Sequence, residues 1–320
     1  MLSRTADHLY WMARYTERAE NTARMLDVNY QTAMLPQSRE AAEQGWRGLL
    51  SISELLPDYE RRYNAVTPRE VLDFMVQDDS NPSSIHSCLS AARENARAVR
   101  GTLTTEVWET ANRTWLEFKK LLAVKAWQRD PCELFEWVKF RSHLLRGVTF
   151  GTMLQDESFH FLRLGTFLER ADNTARLLDV KFHAADADFF GAQGSPRGEP
   201  LEVDFYYWSA ILRSVSGFEV YRKVYRNVIR PEKVAELLIL RADMPRSLAA
   251  CMHEVVANLG RVANSQSEAT LRRAGRINAD LAYGRIDEIL ATGLHAFLTQ
   301  FLDRVGDLGA GISRDFLVPA

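Results

Sequence analysis

An all-α fold, an internally duplicated helical bundle with its halves related by a pseudo-two-fold, is predicted by three features of the chain. The stretch Tyr15 to Tyr30, YTERAENTARMLDVNY, returns as Phe167 to Phe182, FLERADNTARLLDVKF, with ten of sixteen positions identical at one offset of 152 residues. Apolar residues recur at spacings of three and four, the period of a packed helix. No segment shows the two-residue alternation and hairpin signals of strands.

The first helix is expected from an N-cap at Ser3 to about Ala33, before Pro36. Its seam is Leu9, Met12, Thr16, Ala19, Ala23, Leu26 and Tyr30, repeated as Phe161, Leu164, Leu168, Ala171, Ala175, Leu178 and Phe182. Small residues at mid-seam would let helices approach closely. A second helix is expected over Ala41 to Tyr63 and a short one from Pro68, whose ring suits a first helical turn. The next starts with Asn81 as cap and Pro82 as first residue, with a seam of Ile85, Leu89, Ala92, Ala96, Val99 and Leu103. Trp108 to Leu122 make a fifth, and a sixth follows Pro131.

The second half follows the same plan, with Pro231, Pro245, Cys251 and Asn258 matching Pro68, Pro82, Cys88 and Asn95 at an offset of 163. Its helices are expected at Val203 to Arg226, Pro231 to Leu240, Pro245 to Val262, Glu268 to Tyr283 and Ile286 to Leu308. That gives six helices per half in repeats 1–155 and 156–320, fused as one core. The Gly, Ser and Pro of 184–200 mark a linker loop that absorbs much of the difference in offset.

With 46% hydrophobic residues the chain can bury a sizeable core, and 40 basic against 42 acidic residues give no general attraction to nucleic acid or an anionic membrane. Neither is expected as a partner. Cys88, Cys132 and Cys251 have no CxxC spacing and are odd in number, which argues against a disulfide framework. No apolar run near the N-terminus suits a signal peptide or a membrane span, so a cytoplasmic protein is expected.

Glu17, Glu20, Asn21, Arg24 and Asp27 line one flank of the first seam, and Glu169, Asp172, Asn173, Arg176 and Asp179 line the second. Arg18 and Arg170 adjoin the two glutamates. One reading is a solvated face with local pairs such as Glu20 with Arg24, each contributing about 0.3 to 0.5 kcal/mol. Between the copies, however, packed seam positions exchange (Met12 for Leu164, Thr16 for Leu168) while the polar string stays nearly fixed. A solvated face would drift more. The comparison favours a partly buried polar cluster where the halves meet, with arginine forks on carboxylates.

The Glu17-Arg18 and Glu169-Arg170 steps, the opening HLYWMARYTERAENTARML, the NPSSI block at Asn81 to Ile85 and the AREN block at Ala92 to Asn95 resemble the bacterial alpha-E family. The likeness covers essentially the whole chain. It implies an all-helical protein commonly encoded beside a circularly permuted ATP-grasp protein, often near a transglutaminase-like protease, in a setting of peptide ligation or modification. The function it suggests is a helical partner or accessory subunit of an ATP-grasp-type ligase on a separate chain, since no Gly-rich phosphate loop occurs here. A stand-alone enzyme using Glu17 or Glu169 as general base on a carboxylate or phosphate substrate is the alternative, and a purely structural scaffold a third.

Other chemistry is sparse. Glu157 and His160 have the Glu-x-x-His spacing of di-iron bundles, but Thr5 replaces the acid beside His8 in the other copy, so no metal site is expected. No cofactor is expected either. Arg93, Arg97 and Arg100 form a basic stripe able to hold an anion, or one paired with Glu94 and its neighbours. Oligomeric state and catalytic residues are not legible.

Overall fold

The computed structural model describes residues 1–36, 38–189 and 201–317. Among them are sixteen α-helices and no strand: α1 (Ser3–Ala33), α2 (Arg39–Ile52), α3 (Leu56–Glu60), α4 (Pro68–Val76), α5 (Ile85–Ala98), α6 (Thr105–Ala123), α7 (Ala126–Arg129), α8 (Pro131–Thr152), α9 (Glu157–Phe189), α10 (Leu201–Ser214), α11 (Phe218–Tyr225), α12 (Pro231–Ile239), α13 (Leu248–Arg261), α14 (Glu268–Tyr283), α15 (Ile286–Thr292) and α16 (Leu294–Phe316). No helix of the described residues is long and apolar enough to cross a membrane.

Twelve helices were expected. The difference lies in the short extra helix α7 after Lys125 and in three breaks that leave no apolar signature. The expected Ala41–Tyr63 helix splits at Glu54 (φ 56°), and the Val203–Arg226 helix at Ser216 (φ 53°). A left-handed residue ends a helix, but Gly or Asn usually supplies it. The last helix splits at Gly293, whose φ of 100° is the glycine conformation. The expected linker 184–200 is helical to Phe189, and 190–200 lies outside the described residues.

Caps also differ from expectation. Helix α1 starts after Leu2 with no side-chain cap, so Ser3 is its first residue. Helix α5 is capped by Ser84, whose hydroxyl accepts from the Ser87 N–H at 3.1 Å. Asn81 instead ties down the preceding turn. It accepts from the Ser83 N–H at 2.9 Å and donates to the Phe74 carbonyl at 3.0 Å. Thr67 caps α4, with Pro68 in the first turn as the sequence indicated.

Helices α1 and α9 lie against each other at the centre of the molecule. Helices α5 and α8 flank α1 and are bridged by α6, while α13 and α16 flank α9 and are bridged by α14. Two four-helix groups thus share one seam. From Leu9 to Leu26 and from Phe161 to Leu178 every predicted seam residue is buried. A close approach comes at Gly165, where a Cβ would lie 2.2 Å from the Tyr10 carbonyl oxygen. Backbone therefore meets side-chain-free backbone across the seam.

Cys88 and Cys251 are fully buried between seam residues, and burial pushes both thiols up to about 12. A thiol reagent at pH 8 is expected to leave both unmodified in the folded protein and to label all three cysteines in denaturant. Fast labelling of Cys88 in native buffer would contradict this packing.

Candidate functional site

The two Glu-Arg steps face each other across the α1–α9 seam, and each glutamate takes the other step's arginine. Arg170 forks onto Glu17 through Nε (2.9 Å) and Nη2 (3.0 Å), and Arg18 forks onto Glu169 through Nε (2.6 Å) and Nη2 (3.1 Å). Bidentate charge-assisted bonds are the strongest hydrogen bonds in proteins and fix orientation as well as distance. Arg14, one turn before Arg18, adds its Nε to Glu169 at 2.6 Å.

Around Glu17 the cluster is deeper. Glu17 and Glu20 are 1% and 0% exposed, so every oxygen must find its donor inside the protein. Arg246, from the turn before α13, donates to Glu17 at 3.0 Å, to Asn21 at 2.9 Å and to Glu20 at 2.5 Å. From α8, Arg146 donates to Glu17 at 2.9 Å and also to Glu20, and Ser142 donates to Glu20 at 2.7 Å. Arg24 completes Glu20 from its own helix at 2.9 Å, and its other nitrogens reach Ser216 (2.5 Å) and His143 (3.0 Å). The local pair expected on a solvated face is therefore buried.

The rest of the stripe does not enter this core. Asp27 holds Lys139 at 2.7 Å and Gln31 at 2.8 Å, Asp172 holds Arg176 at 2.8 Å, and Arg176 also reaches Glu54. Asn173 lies 3.9 Å from the Met25 sulfur, and Asp179 meets His295 at 2.6 Å. Asp172, Asn173 and Arg176 lie on a more exposed flank, and Asp27 and Asp179 each stand ten positions past the glutamate of their own Glu-Arg step. Arg146, Arg246, Ser142, His143 and Arg14 were missed. Arg246 had a faint signal: Ser83 stands at its offset of 163, an arginine without a counterpart in an otherwise matched block.

Burial pushes the Glu17 carboxyl up, but Arg170, Arg246 and Arg146 outweigh it and hold Glu17 at about 2. Glu20 is held well below the usual range against the same burial, mainly by Arg246, and Glu169 is lowered by Arg14 and Arg18. Burial lowers Arg246, with Glu17 and Glu20 opposing, and a guanidinium so lowered still stays protonated. A carboxyl depressed on folding stabilises the fold above its unfolded value of 4.5 and loses that contribution as pH falls through its folded value. Cooperative acid unfolding is therefore expected between about pH 4.5 and 2, with the double substitution Glu17→Gln, Glu169→Gln flattening the pH dependence of stability in urea melts.

Of the stripe Arg93, Arg97 and Arg100, the first and last both lie over the Trp108 ring. Helix α5 ends at Ala98, leaving Arg100 in a following 3-10 turn over the Trp108 ring. Glu94 takes Arg97 at 2.9 Å and also takes Arg93, which donates to Asn112 at 3.1 Å. His8 and His160, set aside as metal ligands, each place Nδ1 2.8 Å from an asparagine oxygen, Asn95 and Asn258 respectively. Each asparagine amide nitrogen is bound to a carbonyl of its own helix, so its oxygen accepts and the histidine donates. Glu157 takes the N-terminal ammonium at 2.7 Å.

A family model described as a predicted alpha-helical domain with a conserved ER motif, named Alpha-E, matches residues 1–317. The chain belongs to the Alpha-E family. No curated protein and no solved structure matches it. In this Alpha-E chain both Glu-Arg steps of the repeated stretch are spent on each other. As a general base Glu17 is poorly suited: a carboxylate held at about 2 and closed from solvent has little affinity for a substrate proton near neutral pH.

Proposed function

We propose that this Alpha-E chain is a helical accessory subunit of a peptide-ligating or peptide-modifying system whose catalytic ATP-grasp protein is a separate chain in the cytoplasm, with a transglutaminase-like protease in the same system. The observation that carries the reading is that the Glu-Arg steps form the interior of the α1–α9 seam instead of lining an opening. A family defined by that motif is then defined by a way of holding two helix groups together, which suits a subunit whose surface does the work.

In this proposal the halves 1–155 and 156–320 are copies of one unit. The sixteen-residue repeat supports it, as do the paired His8–Asn95 and His160–Asn258 contacts. So do the Tyr59 and Tyr221 hydroxyls, which donate to the Ala65 and Val228 carbonyls at 2.9 and 3.0 Å. The stand-alone enzyme reading is less well supported because its base is the depressed Glu17.

The test is co-expression with the ATP-grasp protein encoded beside it, followed by size-exclusion chromatography with and without Mg-ATP and a peptide substrate. Co-elution is the expected result. Separate elution under every condition overturns the proposal.

A further inference from the structure

The charge balance of the Glu17 core points outward. Glu17 and Glu20 are met by four guanidiniums, those of Arg24, Arg146, Arg170 and Arg246, and the nearby Asp27 is already neutralised by Lys139. Positive charge in surplus inside a protein is costly unless an anion meets it. On the Glu169 side the surplus is smaller: two guanidiniums, Arg14 and Arg18, meet Glu169, while Asp172, which lies near Arg14, is held by Arg176.

The surplus reaches the surface on α8. Arg146 uses only Nη1 toward Glu17, Glu20 and Ser142, and among the described residues its Nε and Nη2 bind no acceptor; its side chain is 29% exposed. Three positions earlier, and so beside it on the helix surface, His143 is half exposed. His143 Nε2 stands 3.0 Å from an Arg24 nitrogen and 3.3 Å from Glu20, and in the form that accepts from the guanidinium, which only donates, the ring proton is on Nδ1 as a further donor.

His143 also lines an open groove of about 460 Å³ along the outer face of α8. Every residue that lines it lies on α8: Phe140, Leu144 and Val148 give it apolar surface and Gly147 and Gly151 leave it open, while Arg146 adjoins Gly147 in the chain but does not line it. A Cβ on either glycine would meet nothing within 4 Å, as at Gly260, Gly275 and Gly306 on other helices, so the two leave open space over α8 rather than making a packing contact. Phe140 is 68% exposed.

We propose that this groove binds the C-terminal end of a peptide whose last residues are apolar, with its free carboxylate on the open edge of Arg146 and the His143 Nδ1–H, and its side chains over Gly147 and Gly151. His143 in the lining and Arg146 three positions on favour an anion, and the apolar residues favour a carboxylate carried on an apolar body over a free phosphate. Binding needs only this chain, so the outcome is independent of whether an ATP-grasp partner associates.

The experiment is calorimetric titration of the full chain with acetyl-Leu-Phe carrying a free carboxylate, and with the same dipeptide as its C-terminal amide. The acid is expected to bind about tenfold or more tightly than the amide, the factor expected for losing one charge-assisted contact. Arg146→Gln is expected to abolish the preference. Because Arg146 also supports the core, Gly147→Trp is the second variant: it fills the groove from an open position, and is expected to leave the melting temperature at or above wild type while removing binding. Equal affinity for acid and amide, no binding of either, unaltered binding by Gly147→Trp, or full displacement by inorganic phosphate would each overturn the assignment.

Discussion

Glu17→Gln is expected to destabilise the fold by about 3 to 5 kcal/mol, the cost of breaking a buried ion pair from one side. The substitution keeps shape and removes charge. Arg170 and Arg246, both nearly buried, would then face a neutral amide whose NH2 group points a donor at donors. Urea denaturation monitored by circular dichroism measures the change. A loss under about 1 kcal/mol would mean that the arginines find water instead, and that the core is wetter than its burial indicates. Glu169→Gln is expected to cost less, because Arg14 and Arg18 lie nearer solvent, at 18% and 26% side-chain exposure.

Gly165→Ala is the second large effect. The added methyl carbon would stand 2.2 Å from the Tyr10 carbonyl oxygen and 3.2 Å from the Ala13 Cβ, and backbone cannot swing aside as a flexible side chain can. Helices α1 and α9 would have to separate, stretching the forks on Glu17 and Glu169 as well. A cost of about 3 kcal/mol is expected, at the upper end for overpacking, although alanine is the better helix former. The control is Gly147→Ala, with open space around its Cβ, which is expected to stabilise by up to about 1 kcal/mol. If both substitutions behave alike in thermal melts, the close crossing at Gly165 is wrong.

What the sequence revealed and what it concealed have physical causes. Periodicity exposed α1 and α9 because a long helix repeats its apolar face many times, and the duplicated string exposed Glu17, Arg18, Glu169 and Arg170 because they changed less than the packed seam beside them. Arg246 and Arg146 were hidden because a cation that arrives from a distant turn or helix has no spacing relation to its carboxylate. The breaks at Glu54 and Ser216 were hidden because neither residue is one that favours positive φ. Asn81 misled because asparagine before proline suits a cap and a turn equally, and only the Phe74 carbonyl decides between them.

The distances along the chain at which the Glu17 core closes bear on how the protein is made. Arg146 joins Glu17 across 129 residues, Arg170 across 153 and Arg246 across 229. At roughly 5 to 20 residues per second, Arg246 leaves the ribosome some ten to fifty seconds after Glu17. Throughout that interval the nascent α1 carries carboxylates that water solvates better than a half-built core. The individual helices form early and locally, but the ionic centre needs contacts at separations of 129 to 229 residues and is completed only after the turn before α13 has been made. An N-terminal fragment ending before Arg170 can pair Glu17 and Glu20 only with Arg24, Ser142 and Arg146, and lacks the Arg170 fork and the Arg246 bonds.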